Sequence, residues 1–150
     1  MQIWVDADAC PVKVREVIYK ASQRVRATVV LVANKNMYFP QSSLLSLVVV
    51  GSQFDAADHY IVDNSSAGDL AITSDIILAS ALVDKEVSVV SSSGKVYNKE
   101  NVKEAHAMRN LFQELREGRL IQGGPPPFGP KDLQNFANAF DRELTRLMRA

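Results

Sequence analysis

The sequence holds one cysteine and two histidines, and it has no apolar run near the ~18–20 residues that cross a bilayer. A lone Cys10 cannot close an internal disulfide, which suits a reducing cytosol. Two histidines and one cysteine leave too few soft donors for a zinc site. No Walker-type glycine loop and no G-x-G-x-x-G occurs, so nucleoside triphosphates lack a phosphate cradle and no dinucleotide cofactor is expected. Lys plus Arg (17) cancels Asp plus Glu (17), so no global field draws the chain to nucleic acid or to a membrane. A strand pattern begins within two residues of Met1, with no basic leader or small-residue cleavage site, so a cytoplasmic location is expected. There is no internal repeat, low-complexity tail or domain linker.

What is present is ordinary globular material. The chain has 150 residues, 47% hydrophobic and 23% charged, enough to bury a core without staples. Gln2 to Val5 is an apolar strand that stops at Asp6. Pro11 suits the first turn of a helix, and Val14, Val17, Ile18 and Ala21 continue it at helical spacing over 11–24. Ala27 to Ala33 and Leu47 to Val50 are β-branched runs of the kind covered on both faces in parallel sheets. Asp55 to Val62 reads as a short helix, Asp69 to Thr73 as a strand, and Ile76 to Val83 as a helix. Val87 to Val90 closes the strand series, and Ser91–Gly94 is a turn. A long amphipathic helix over 99–117 places Val102, Ala105, Met108, Leu111, Phe112 and Leu115 on one side. Gly123 to Pro130 (GGPPPFGP) is a stiff loop. Leu133, Phe136, Phe140, Leu144 and Leu147 mark a final helix over about 131–148. Alternating strands and helices predict one α/β domain over 1–150, three-layer α/β/α with a mostly parallel sheet and the two C-terminal helices packed onto it.

The charge balance hides an uneven distribution. The first fifty residues hold only Asp6, Asp8 and Glu16 as acids, whereas Asp55 to Asp75 holds five aspartates and no Lys or Arg. Ligands of open α/β sheets sit beyond the carboxyl ends of the strands. Asp6 and Asp8 follow the first strand, and Asp75 follows the Leu70–Thr73 segment, so all three should share that edge. Asp55 and Asp58 start the helix after Leu47–Val50 and can point to the same edge. Gathered carboxylates repel unless protonated or neutralised by a cation. Hard Mg2+ or Mn2+ prefers such oxygen ligands, activates water and stabilises charge on a phosphate. Several of these acids also have a plainer explanation. Asp6 or Asp8 could cap the helix at Pro11, and Asp75 could cap the one that follows it. Asp63 reads as a solvated turn residue, and Asp69, opening a strand, belongs to the opposite edge on topology.

Lys13, Lys35, Arg24 and Arg26 could line a phosphate track, with Asn34 ending the second strand on the candidate edge. Solvated surface cations are the plainer account of these, and of Arg109, Arg116 and Arg119. Cys10 precedes a helix N-terminus, where thiolates are stabilised. It has no evident basic partner, and neither His59 nor His106 pairs with it. A small buried thiol is the simpler explanation.

Four segments together carry a resemblance: Asp6 to Lys13 (DADACPVK), Asp55 to Asp58 (DAAD), Gly68 to Asp75 (GDLAITSD) and Gly124 to Phe128 (GPPPF). In this order they resemble the bacterial YaiI/YqxD family, itself without an assigned activity. That family is similar to the PIN-like group, including NYN nucleases, whose α/β/α domains hold Mg2+ or Mn2+ on clustered acids to cleave RNA. The resemblance implies that Asp6 is the acid after strand one, Asp55 or Asp58 the mid-chain acid, and Asp75 the acid of the T-x-D segment. Asp8 and Asp69 are extra. The family usually carries Pro at the position of Ile77.

Three functions follow as expectations. The first is a metal-dependent ribonuclease-like hydrolase, with Asp6, Asp58, Asp75 and Asp55 as metal ligands. Its catalytic acids are Asp6, Asp8 and Asp75, and Lys13, Asn34 and Lys35 lie along the RNA. The second is a phosphatase of the haloacid dehalogenase type using Asp6, Asp8 and Thr73. The third is a non-catalytic PIN-like module that binds RNA or protein.

Overall fold

The structure, a computed structural model, describes residues 1–53, 55–118 and 127–149. Six strands form one sheet: β1 (Gln2–Asp6), β2 (Thr28–Ala33), β3 (Leu45–Val49), β4 (Leu70–Ile72), β5 (Ser88–Val90) and β6 (Val96–Tyr97). Their order is β3-β2-β1-β4-β5-β6. The first five run parallel, and only β6 is antiparallel, paired with β5. The helices are α1 (Val12–Val25), α2 (Ala56–Asn64), α3 (Ile76–Asp84), α4 (Lys99–Glu117) and α5 (Pro130–Met148). The expected α/β/α architecture with a mostly parallel sheet is what the chain forms.

The β-branched runs explain the sheet. Strand residues alternate between its faces, and both faces are covered, so β1, β2 and β4 are apolar almost throughout. One face packs Ile3, Val5, Val29, Leu31 and Ile72 against Val14 and Ile18 of α1 and Phe136, Phe140 and Leu144 of α5. The other packs Trp4, Val32, Ala71 and Val89 against Ile61 of α2, Leu78 and Leu82 of α3, and Val102 of α4. Phe136 and Phe140 stack at 5.3 Å between ring centroids and are buried. Each such side chain contributes about 1.5–3 kcal/mol of burial.

Three expectations need correction. Val90 does not close the strand series: the Ser91–Gly94 turn leads into β6, too short at two residues to show a period. Gly94 is required in that turn, with φ of 91° and a Cβ that would fall 2.4 Å from the Asn135 carbonyl oxygen of α5. The apolar side of α4 is not covered along its length. Val102 is buried and Ala105 packs against α3's side of the core, but Met108, Leu111 and Phe112 are exposed. The helical period holds, and among the described residues nothing covers those three side chains. Pro130 belongs to α5 at its first position, where its absent N–H costs nothing. Of the expected Gly123–Pro130 loop, residues 123–126 lie outside the described residues, as does Arg119; Pro127 and Phe128 are exposed.

Candidate functional site

The strand order reverses between β1 and β4: the chain builds outward to β3 on one side and to β5 on the other. Such a switch point opens a crevice at the carboxyl ends, because the adjoining helices lie on opposite faces. Here α1 lies on one face and α2 and α3 on the other. Asp6 ends β1, in register with Val32 of β2, and Thr73 directly follows β4. Asp6 and Thr73 therefore stand side by side at the carboxyl ends of the two strands where the order reverses.

Thr73 donates from Oγ1 to Asp6 Oδ2 at 3.1 Å and accepts the Asp75 amide at 3.1 Å. Asp75 caps α3, its Oδ1 accepting from the amides of Ile77 at 2.9 Å and Leu78 at 3.3 Å. The cap explanation for Asp75 is thus correct, but the cap also fixes its carboxylate beside Asp6. Burial, together with the charges of Asp75 and Asp8, raises the Asp6 pKa, and the Thr73 hydrogen bond partly offsets this. Asp58, in the first turn of α2, is pushed up to about 6 by burial and by Asp75, Asp6 and Asp55. Beyond burial, both shifts carry the charge of neighbouring carboxylates, Asp75 in each, so Asp6 and Asp58 lie in the field of the same acid.

Asp8 stands in a short 3-10 turn (Ala7–Ala9) and accepts the Asn34 amide at 2.8 Å. It ties the end of β2 to that of β1. Neither Asp6 nor Asp8 caps α1, whose N-cap is Pro11 without a side-chain bond; that explanation is corrected. Asp55 precedes α2 with φ of 66° and makes no cap hydrogen bond. Left-handed φ is tolerated by aspartate more readily than by most residues.

Lys13 in the first turn of α1, and Asn34 and Lys35 after β2, are exposed on this edge. Arg24 and Arg26 are not with them. They sit at the far end of α1, which runs back along the sheet, and Arg24 pairs with Asp141 of α5 at 2.9 Å. A single track through all four cations is excluded. Asp63, expected in a turn, is exposed in α2. Asp69 is structural, as topology suggested. It is 8% exposed and accepts the Gln2 amide at 3.0 Å, Trp4 Nε1 at 3.0 Å and the Ser66 amide at 2.9 Å. Cys10 is buried, and burial pushes its thiol up to about 12 despite the nearby Arg15 guanidinium. Arg15 is the basic neighbour that sequence spacing did not reveal.

Thr73 was visible in the sequence only as a strand-end threonine; its link to Asp6, 67 residues earlier, needs strand adjacency. The same holds for Ser74, whose Oγ accepts the Ser92 amide at 3.2 Å and joins β4's end to β5's.

Does this donor set suit a divalent ion? In charge and hardness it does: several carboxylates repel one another at one edge, with Asp75 Oδ2, Asp8 Oδ1 and Asp6 Oδ1 unbonded among the described residues. Among those residues, no three acidic, His or Cys side chains already converge as an ion-holding group. Holding an ion therefore requires rotation of exposed or half-buried aspartates between staggered wells.

The motif blocks at this edge agree with whole-chain similarity. The family described as "Uncharacterized BCR, YaiI/YqxD family" matches residues 4–146. The chain belongs to the YaiI/YqxD family. Relatives carry the family label UPF0178 protein. The one from Geobacter metallireducens is 48% identical over 149 residues, covering 99% of this chain and 96% of its own. That from Myxococcus xanthus is also 48% identical, covering 99% and 97%. That from Maridesulfovibrio salexigens is 47% identical, covering 97% of each. No solved structure matches the chain. YaiI/YqxD membership thus supplies no reaction, and function must be argued from the site. No helix among the described residues is long and apolar enough to cross a membrane.

Proposed function

We propose that the protein is a divalent-metal-dependent, nuclease-like hydrolase acting on RNA phosphodiesters. The observation that carries this is the gathering of Asp6, Asp58 and Asp75 at the switch point, where burial first and the neighbouring carboxylates second push Asp58 up to about 6 and raise Asp6. Uncompensated repulsion of this kind costs stability unless a cation relieves it. Asp6, Asp58 and Asp75 would hold Mg2+ or Mn2+, with Asp55 close by. Bound there, the ion would supply Lewis-acid stabilisation of the reacting phosphate and acidify a water.

The chain's own groups divide the remaining work. Thr73 orients Asp6 through one oxygen and leaves the other for binding. The α3 cap holds Asp75 in place. Asp8 Oδ1 can accept a proton from the attacking water, while Asp8 Oδ2 stays on Asn34. Lys13 and Lys35 supply positive charge for the phosphates on either side.

The test is cleavage of single-stranded RNA by purified protein with Mn2+, beside Asp6→Asn. Activity abolished in the variant supports the proposal. Equal trace activity in both identifies a contaminant and defeats it.

The Thr73–Asp6 hydrogen bond is the one observation that favours a phosphatase of the haloacid dehalogenase type. That chemistry calls for a lysine beside the nucleophile. Lys85 instead donates to the carbonyls of Val62 and Ser65 at the end of α2. A beryllofluoride adduct at Asp6 would reverse the order of the two. Metal binding without turnover on any RNA would favour a binding module.

A further inference from the structure

A concavity lies between the first two turns of α1 and the loop joining β2 to β3. It encloses about 370 Å3 and is lined by Arg15, Glu16 and Tyr19 from the helix and Met37, Tyr38 and Pro40 from the loop. Its polar groups are poorly satisfied. Arg15 has no carboxylate within ion-pair distance among the described residues. Its Nη1 donates at 3.1 Å to the thioether sulfur of Met37, a weak acceptor for a charged donor. Arg15 Nε and the Tyr19 hydroxyl are buried without a hydrogen-bond partner of acceptable geometry. The Arg15 charge offsets part of the burial that raises the Tyr19 phenol, so the two lie close without a well-aligned bond. Tyr38, by contrast, is 88% exposed, a large aromatic face held away from any core.

We infer that this cavity is the subsite for a nucleotide flanking the reacting phosphate of single-stranded RNA, with its base on Tyr38 and its phosphate on Arg15. The inference rests on the phosphodiester reading of the acid site. A guanidinium matches phosphate in charge and planar geometry, and a phosphate oxygen is the stronger acceptor that displaces Met37 Sδ. An exposed tyrosine is a stacking platform indifferent to base identity. Glu16 disfavours a bare polyanion in the same cavity, but it accepts from base N–H groups or ribose hydroxyls, which points to a whole nucleotide.

Continuity supports the placement. The loop begins at Asn34, whose amide is bonded to Asp8. The Cys10 thiol lies in the fields of both Asp6 and Arg15. Lys13 and Lys35 are exposed on the same edge. A single strand crossing the acids along this edge therefore meets the cavity next.

The test uses a fluorescein-labelled uridine hexanucleotide and the full chain in EDTA, read by anisotropy. Metal and turnover then play no part. Tyr38→Ala is expected to weaken binding about tenfold. Arg15→Gln is expected to weaken it at least as much and to flatten the salt dependence. Asp6→Asn, which removes a negative charge from the path, should bind as tightly as wild type or tighter. Wild-type affinity in Tyr38→Ala overturns the subsite, as does failure of wild type to bind the hexamer. The exposure of Tyr38 keeps its variant folded, so it decides the matter even if Arg15→Gln unfolds. Hexamer binding that depends on Tyr38, without cleavage in Mn2+, defeats the hydrolase proposal and leaves the subsite standing.

Discussion

Thr73 Oγ1 donates to Asp6 Oδ2 at 3.1 Å, so a buried hydroxyl draws the Asp6 pKa downward against burial and two neighbouring carboxylates. Valine matches threonine in shape and cannot donate. Thr73→Val should therefore raise the Asp6 titration midpoint and lower stability at pH 7 by about 1–3 kcal/mol. Carboxyl-carbon NMR titration and urea unfolding read the two effects. An unmoved Asp6 midpoint would refute the coupling.

Asp58 gives a pH dependence of definite sign. Its pKa is about 6 in the folded protein against an ordinary 3.8. Between those values the folded chain holds more protons than the unfolded chain. Its contribution to stability is therefore full below the ordinary value and lost as pH rises through about 6. Asp58→Asn removes this loss, so the variant should gain stability relative to wild type from pH 4 to pH 7. Urea midpoints across that range supply the check, and a constant difference would count against the assignment.

A cation should reverse the same penalty. With Mn2+ at about 100 times its Kd, a single site adds about 2.7 kcal/mol, which is about 5–10 °C in Tm for a domain of this size. The shift should be larger at pH 7.5 than at pH 5, where Asp58 is mostly protonated, and it should vanish in Asp6→Asn. Equal shifts in wild type and variant would place the ion elsewhere.

Asp69 should behave as a structural residue. Removing its carboxylate in Asp69→Ala leaves the Gln2 and Ser66 amides and the Trp4 indole N–H without their acceptor. A stability loss of about 2–5 kcal/mol is expected, with altered Trp4 fluorescence. At temperatures where the variant stays folded, Mn2+ binding at the opposite edge should be unchanged.

Cys10 offers a simple chemical test. Burial, which pushes the thiol pKa up to about 12, leaves almost no thiolate at pH 8. Ellman's reagent should react slowly with native protein and at once after guanidinium unfolding. Rapid native modification would reassign Cys10 as an accessible, activated thiol.

Local pattern made much of the architecture legible. The runs Ala27–Ala33 and Leu47–Val50, the helical spacing of Val14 to Ala21, and Phe136 to Leu144 each identify their element, because burial on known faces imposes a period. β6 escaped because two residues carry no period. The exposure of Met108, Leu111 and Phe112 escaped because a helix's apolar stripe says nothing about which element covers it. Asp75 was legible both as a cap and as a strand-end acid, and it is both. Arg24 and Arg26 were misplaced because sequence distance from Lys13 does not show that α1 spans the sheet from one edge to the other.

The sequence alone determined that acids stand at the ends of β1 and β4, since an apolar strand ends where its burial ends and a charged residue can begin. It did not determine that those strands are neighbours. Only the order β3-β2-β1-β4-β5-β6 sets Thr73 on Asp6, joins Asp8 to Asn34, and lets Asp58 and Asp75 share a field with Asp6. The reason is physical: backbone pairing between strands is almost blind to side-chain identity, so adjacency is chosen by packing of the whole sheet between its two helical layers. The carboxylates then meet as a consequence, and their mutual repulsion is a property of the tertiary structure that no local stretch of the chain contains.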